Sequence, residues 1–203
     1  MSSEVLRRYI KLMAIAIAVA AAFSLGYEYF TSEAPGDFYV RKGDIRLSEG
    51  NFDEALENFN RALEEFPDHR GAVMGRALVF TQTERYDEAI AEYDHLIRFL
   101  EDTLERDDTT GHGVLAAAYA NRGIVYDRLG DYEAALDSYI TALKTDEDSV
   151  SGPDVIQKIL YGSEDVSSVR KRAQYIYEQL QLPESERLMR QPEIDEKQRM
   201  HKP

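Results

Sequence analysis

The chain has 203 residues, 43% hydrophobic and 31% charged, which suits one domain with a packed core and appendages. Its 38 Asp and Glu against 24 Lys and Arg give a net charge of -14, without the basic face that displaces counterions from nucleic acid. Cysteine is absent, which excludes disulfides, Cys-ligated zinc, iron–sulfur clusters, a thiol nucleophile and a Cys-anchored lipid.

Arg7, Arg8 and Lys11 precede an apolar run from Leu12 to Phe23, which Ser24, Leu25, Gly26 and Tyr27 extend. Two readings fit. A basic head, a short apolar stretch and small residues at Ala18, Ala20 and Ala22 describe a cleavable secretory signal. Tyr9 to Tyr27 would alternatively give about 28 Å of helix at ~1.5 Å per residue, enough for a bilayer core. The uncleaved anchor is favoured, because cleavage after Ala22 would leave Phe23, Leu25, Tyr27, Tyr29 and Phe30 at a soluble amino terminus. The same aromatics suit a membrane interface, with Tyr9 on its opposite side. Basic residues before the run and Glu28, Glu33 and Asp37 after it predict residues 1–8 in the cytoplasm, 9–30 in the membrane and 31–203 outside. The exported part holds 21 basic and 36 acidic residues, so anionic headgroups repel it and only the tether would hold it to a bilayer.

The middle of the chain repeats. Gly43, Gly50, Phe52 and Ala55 align with Gly123, Gly130, Tyr132 and Ala135, and Ala77, Tyr86 and Ala89 fall 34 residues after the first set. Each unit reads as two helices with a turn at Glu49-Gly50, Glu84-Arg85 or Leu129-Gly130. The second helices carry Phe52, Ala55 and Phe59; Tyr86, Ala89 and Tyr93; Tyr132, Ala135 and Tyr139. Spacings of three and four put each set on one face. An aromatic cage is one use of such a stripe; inter-helix core is the reading adopted here. Ala62, Leu96 and Ala142 continue it, and Pro67 ends the first unit where Glu101 and Glu147 stand in the others.

These residues resemble the tetratricopeptide repeat family. The resemblance covers roughly residues 36–149 and departs in the middle unit at Ala77, Glu84 and Leu96. It implies an all-α fold: a right-handed α-solenoid of three helix-turn-helix units at about 36–69, 70–103 and 116–149. The family's early aromatic falls at Tyr39 and Tyr119, with Val73 in the middle unit. Such arrays bind extended or helical peptides in a groove lined by their first helices. The resemblance places Val40, Asp44 and Leu47, then Met74, Leu78 and Thr81, then Asn121, Ile124, Asp127 and Arg128 in that groove. Some members clamp a chaperone-tail carboxylate with Lys, Asn and Arg. The matching positions here hold Val40, Asp44, Gly75, Ala117 and Asn121, so that activity does not carry over. A mixed apolar and acidic groove suits an apolar or basic segment, unless the protein's own tail fills it.

An insertion at 104–115 breaks the period, since Ala77 to Gly123 is 46 residues. Leu96, Phe99, Leu100 and Leu104, then Val114, Leu115, Ala118 and Tyr119, keep helical spacing. Two lengthened helices joined by a loop at about 107–112 are expected, projecting by about 9 Å. The hairpin is either a partner contact or a loop tolerant of length.

Beyond it, residues 150–190 are expected to form a helical cap: a short helix from Pro153 to about Tyr161, then a longer one from Ser163 to Leu180. Val166, Val169, Ala173, Ile176, Tyr177 and Leu180 form the second helix's apolar stripe. Arg170, Lys171 and Arg172 are expected to face solvent. Pro183 opens a last turn with Leu188 and Met189, and residues 191–203 form a polar tail expected to be mobile, with Ile194 and Met200 as candidate docking anchors.

Chemistry is sparse. His69, His95, His112 and His201 lack metal spacing, and Gly111-His112-Gly113 is too short for a dinucleotide loop. Asp146 to Gly152 resembles a calcium loop but has Val150 where an oxygen ligand is needed. No metal, cofactor or small-molecule substrate is expected. The expected protein is non-catalytic: a membrane-tethered scaffold or chaperone-like adaptor that binds a protein or peptide on the periplasmic side of a bacterial inner membrane. The alternatives are a permanent accessory subunit of a membrane complex, whose alanine-rich helix would pack specifically, and a soluble exported protein released by signal cleavage.

Overall fold

The computed structural model describes residues 7–8, 11–21, 23, 34–150, 169–190 and 200. Six helices pair in order over the repeat: α1 (Asp37–Ser48) with α2 (Phe52–Glu65), α3 (Arg70–Gln82) with α4 (Tyr86–Thr103), and α5 (Thr109–Leu129) with α6 (Tyr132–Thr145). Each packs on its successor, and α3 also touches α1 and α5, which makes an α-solenoid. The short α7 (Glu147–Val150) follows, and α8 (Val169–Leu180) packs on α6. A 3-10 turn at Glu184–Glu186 comes after it. There is no strand among the described residues.

The turn inside each pair requires a left-handed residue. Gly50 (φ 77°) and Gly130 (φ 84°) supply it, whereas Glu84 adopts φ 58° in the middle pair. A residue with a β-carbon is disfavoured there by roughly 1–2 kcal/mol. The aromatic stripe is core: Phe59, Tyr93 and Tyr139 are all fully buried. Phe59 is wedged between two first helices, because a β-carbon at Gly43 would meet its ring at 2.6 Å and one at Gly75 at 2.4 Å. Deleting such a ring costs about 3–5 kcal/mol.

The insertion lengthens two helices, to 18 residues in α4 and 21 in α5, against 14 in α2 and 12 in α1. The connecting loop is at 104–108, earlier than expected, so Gly111, His112 and Gly113 are helical. Asp108 explains the shift. Its Oδ1 accepts from Gly111 N at 2.7 Å, and its Oδ2 accepts from Arg70 Nη1 at 2.7 Å. Arg70 first, and then the Gly111 amide, hold this carboxyl below its ordinary value of 3.8. The lengthened helices do not simply project. A β-carbon at Gly111 would meet Leu104 at 2.1 Å, and one at Gly113 would meet Ser149 at 2.9 Å.

The amino-terminal expectation is described only in part. Residues 11–21 are helical and exposed, including Leu12, Ile15, Ile17 and Val19. Residues 9–10, 22 and 24–30 of the expected anchor lie outside the described residues, as do the expected helix at 153–161 and most of the 191–203 tail. Among the described residues, no helix is long and apolar enough to cross a membrane. In α8, Val169, Ala173 and Ile176 are buried as the stripe requires, while Tyr177 is exposed. Arg170 and Lys171 face solvent, but Arg172 is buried, contrary to expectation, because it pairs with a buried carboxylate on α5.

Candidate functional site

The expected groove residues sit at matching positions on α1, α3 and α5, and their exposure changes along the solenoid. Val40, Asp44 and Leu47 on α1 are half-buried. Met74, Leu78 and Thr81 on α3 are buried, as are Asn121, Ile124 and Asp127 on α5; Arg128 is half-buried. Six of the ten are therefore closed to solvent. Asn121 Nδ2 donates to Met74 Sδ at 3.6 Å, joining the two helices within this layer.

The carboxy-terminal segment closes the α5 side. Arg172 donates from Nε to Asp127 Oδ2 and from Nη2 to Asp127 Oδ1, both at 2.7 Å. Tyr139 hydroxyl donates to the same Asp127 Oδ2 at 3.2 Å. Asp127 is only 5% exposed and Arg172 3%, so this is an interior ion pair and not a surface contact. Arg172 Nη2 also reaches Met189 O at 3.1 Å, and Arg190 Nη2 donates to Arg128 O at 2.7 Å. Leu188 N donates to Gln179 Oε1 at 2.7 Å, and Tyr175 hydroxyl bonds Leu188 O. Met189 and Met200 pack against the main core cluster. Residues 181–190 thus fold back along α8, and the expected groove positions Asp127 and Arg128 hold the protein's own chain. Sequence reasoning missed Arg172, Met189 and Arg190 in this role. Arg172 carried a signal, since Val169, Arg172, Ala173 and Ile176 share one helical face.

The same layer recurs one unit earlier in neutral form. Thr81 Oγ1 lies 3.4 Å from Tyr93 hydroxyl, and Arg128 Nη1 donates to Thr81 O at 3.4 Å. Burial pushes the Tyr93 phenol well above its ordinary value, with Thr81 and Arg128 only partly offsetting it. Tyr119 is pushed up to about 12 by burial and by Glu101, whose carboxylate accepts its hydroxyl at 2.5 Å. Neither phenol is poised to move a proton near neutral pH. Among the described residues, no group of three or more His, Asp or Glu could hold a metal ion. A cleft of about 530 Å³ at the amino-terminal edge is lined by Ala34, Pro35, Phe66, His69, Arg70 and Phe99 among others. At its rim, His69 Nε2 and Asp37 Oδ1 are 2.9 Å apart, tying the start of α1 to the start of α3.

Comparison with known proteins agrees with this geometry. Two family models described as tetratricopeptide repeat match, one over residues 40–102 and one over 116–149. No curated protein matches the chain. Among solved structures, the first tetratricopeptide domain of Spaghetti (RPAP3) bound to the HSP90 peptide SRMEEVD is similar, with a TM-score of 0.52 and 15% identity, covering 73% of this chain and 94% of that one. The Sgt2 tetratricopeptide domain from Aspergillus fumigatus is also similar, with a TM-score of 0.50 and 12% identity, covering 74% of this chain and 87% of that one. At such identities the likeness is one of fold.

Proposed function

We propose that this chain, which belongs to the tetratricopeptide repeat family, is a non-catalytic scaffold that binds another protein and holds it near a membrane. The observation that carries the reading is the repeat stack itself. Its most buried charged groups join helices, as in the Asp127–Arg172–Tyr139 cluster. A peptide partner is supported by the neighbour that holds an HSP90 peptide. An acidic chaperone tail is a poor match in the groove, because Asp44 occupies one of the matching clamp positions and the others offer no cation.

Tethering is supported by residues 11–21, a helix whose described side chains are all exposed although almost all are apolar. Such a surface is costly in water and suits a bilayer. In this reading the amino terminus is cytoplasmic and the solenoid lies on the outer, periplasmic face.

The test is a mild-detergent pull-down of the full chain from its own membranes, with intact-mass analysis of the bait. A bait retaining Met1 or Ser2 with a bound protein partner supports the reading; stoichiometric membrane partners would make it a permanent subunit. A bait beginning near Ala21 or Phe23 would remove the tether. A bait that retains no partner would remove the scaffold role.

A further inference from the structure

The junctions between units follow one rule. The first helices of the later units bury a small or β-branched pair at one register. On α3 the pair is Ala72 and Val79, and on α5, at the same register, Ala118 and Val125; all four are at most 2% exposed. Val79 belongs to the cluster of Ala55 and Phe59 on α2. Midway between the pair stands an arginine that reaches back across the junction. Arg76 Nη1 donates to Asn60 Oδ1 on α2 at 3.1 Å, and Arg122 Nη1 donates to Asp94 Oδ1 on α4 at 2.6 Å. Asn60 and Asp94 are themselves one repeat period apart.

At the same register α1 presents Phe38, Lys42 and Ile45. Phe38 is 57% exposed and Ile45 56%. Lys42 is exposed and has no hydrogen-bond or ion-pair partner among the described residues. The machinery of a junction is therefore present on α1, and among the described residues no helix covers Phe38, Lys42 and Ile45. We propose that this face docks an acidic amphipathic helix of a partner protein, seated where the second helix of a preceding unit would lie, with a carboxylate on Lys42. The proposal rests on the scaffold reading and adds to it a surface and a class of partner.

Charge and topology select that occupant. A second copy placed α1 against α1 would set Lys42 against its own like charge, which disfavours it. Head-to-tail stacking on α6 is closed, because α8 already packs there. Of the chain's own residues, 7–23 carry Arg7, Arg8 and Lys11 and no acid, so they offer Lys42 nothing; Glu28 and Glu33 could, and peptide binding that appears only after both are changed to Gln overturns the proposal.

The test uses a helix that already makes this contact. A helix-stapled, fluorescent peptide of residues 86–103 carries Asp94 on an acidic amphipathic sequence. It is titrated into the full chain in nanodiscs and followed by anisotropy. Saturable binding is expected, abolished by Phe38→Ser with Ile45→Ser and weakened about tenfold by Lys42→Glu. A peptide with Asp94→Lys should lose affinity for the native chain and regain it toward Lys42→Glu. Because these residues are exposed, the variants should keep the native helix content and unfolding midpoint. No saturable binding up to about 1 mM, or binding indifferent to all three positions, overturns the proposal. So does a dimer of the full chain that the Phe38 and Ile45 variants dissolve. A native partner still retained in the pull-down while the peptide fails would remove this surface and leave the scaffold standing.

Discussion

The two ends of the solenoid are finished differently. At the carboxy-terminal end, α8 lies on α6 and Arg172 drives a guanidinium into the stack to meet Asp127. At the amino-terminal end, α1 shows Phe38, Lys42 and Ile45 to solvent at the register where α3 and α5 bury their counterparts. A repeat array must hide its terminal faces or use them. At the closed end α8 takes the place on α6 where a further first helix would pack, and the exposed face of α1 is the one we propose for a partner. The asymmetry also separates two kinds of polar contact. Arg122 with Asp94 sits half-buried at a junction, whereas Arg172 with Asp127 is sealed inside.

The largest expected effect breaks the closed end. Arg172→Ala leaves the Asp127 carboxylate buried without its guanidinium and should destabilise the chain by about 3–5 kcal/mol, read from urea denaturation. Replacing the whole cluster, Asp127→Leu with Arg172→Met and Tyr139→Phe, should be near neutral, because no buried charge is then stranded. If the triple variant is as unstable as Arg172→Ala, the ion pair itself, and not the stranded charge, carries the stability of that end.

The second effect breaks a junction between the ends. Gly75→Ala would push a β-carbon onto the Phe59 ring at 2.4 Å, which should cost about 1–3 kcal/mol by overpacking. In a Phe59→Leu background the same change should cost less, since a smaller side chain vacates the space. An equal cost there would mean that α1 and α3 are held apart by something other than this ring.

These contacts show what a sequence can and cannot reveal. The three helix pairs, the aromatic core and the turns were legible because each depends on residues three, four or 34 apart, and period is visible in one dimension. The junction face of α1 went unnoticed in the sequence, although Phe38, Lys42 and Ile45 sit one period before Ala72, Arg76 and Val79, because only burial distinguishes the two sets. The closure at α5 was not legible either. Asp127 and Arg172 are 45 residues apart with no repeat linking them, so their pairing depends on how α8 returns to the stack. A charged triplet, Arg170 to Arg172, looks like solvated surface until one member is seen to share a face with Ala173 and Ile176. The loop of the insertion lies earlier than the apolar spacing on either side suggested, because the Asp108 cap starts the helix ahead of Gly111.

A smaller effect should sharpen the contrast by strengthening the middle. Glu84 holds φ 58° where the flanking units have glycine. Glu84→Gly should stabilise the chain by about 0.5–1 kcal/mol, the relief of backbone strain less the added freedom of the unfolded state. The gain should appear equally in chains with and without Arg172→Ala, because the two sites share no partner. A gain that vanishes in the Arg172→Ala background would show that the closed end unfolds separately from the middle unit.

The smallest effect concerns acid, and it should be felt at neither end. Asp108 and Asp146 have carboxyls held below their ordinary value of 3.8, the first chiefly by Arg70 and the second chiefly by Ser149. A carboxylate with a lowered folded value contributes stability that is fully present above 3.8 and is lost as the pH falls through the depressed value. Both groups brace the lengthened start of α5: Asp108 caps it, and Ser149, which Asp146 holds, faces Gly113. Amide exchange, corrected for its intrinsic pH dependence, should therefore show Gly111 and Ser149 losing protection in acid before the amides of α3. Arg70→Gln removes the largest cause of the Asp108 shift, so the loss at Gly111 should move to higher pH while that at Ser149 stays in place. If both amides move together, the insertion opens as one unit with the 146–149 turn, and the two carboxylates act on a single equilibrium.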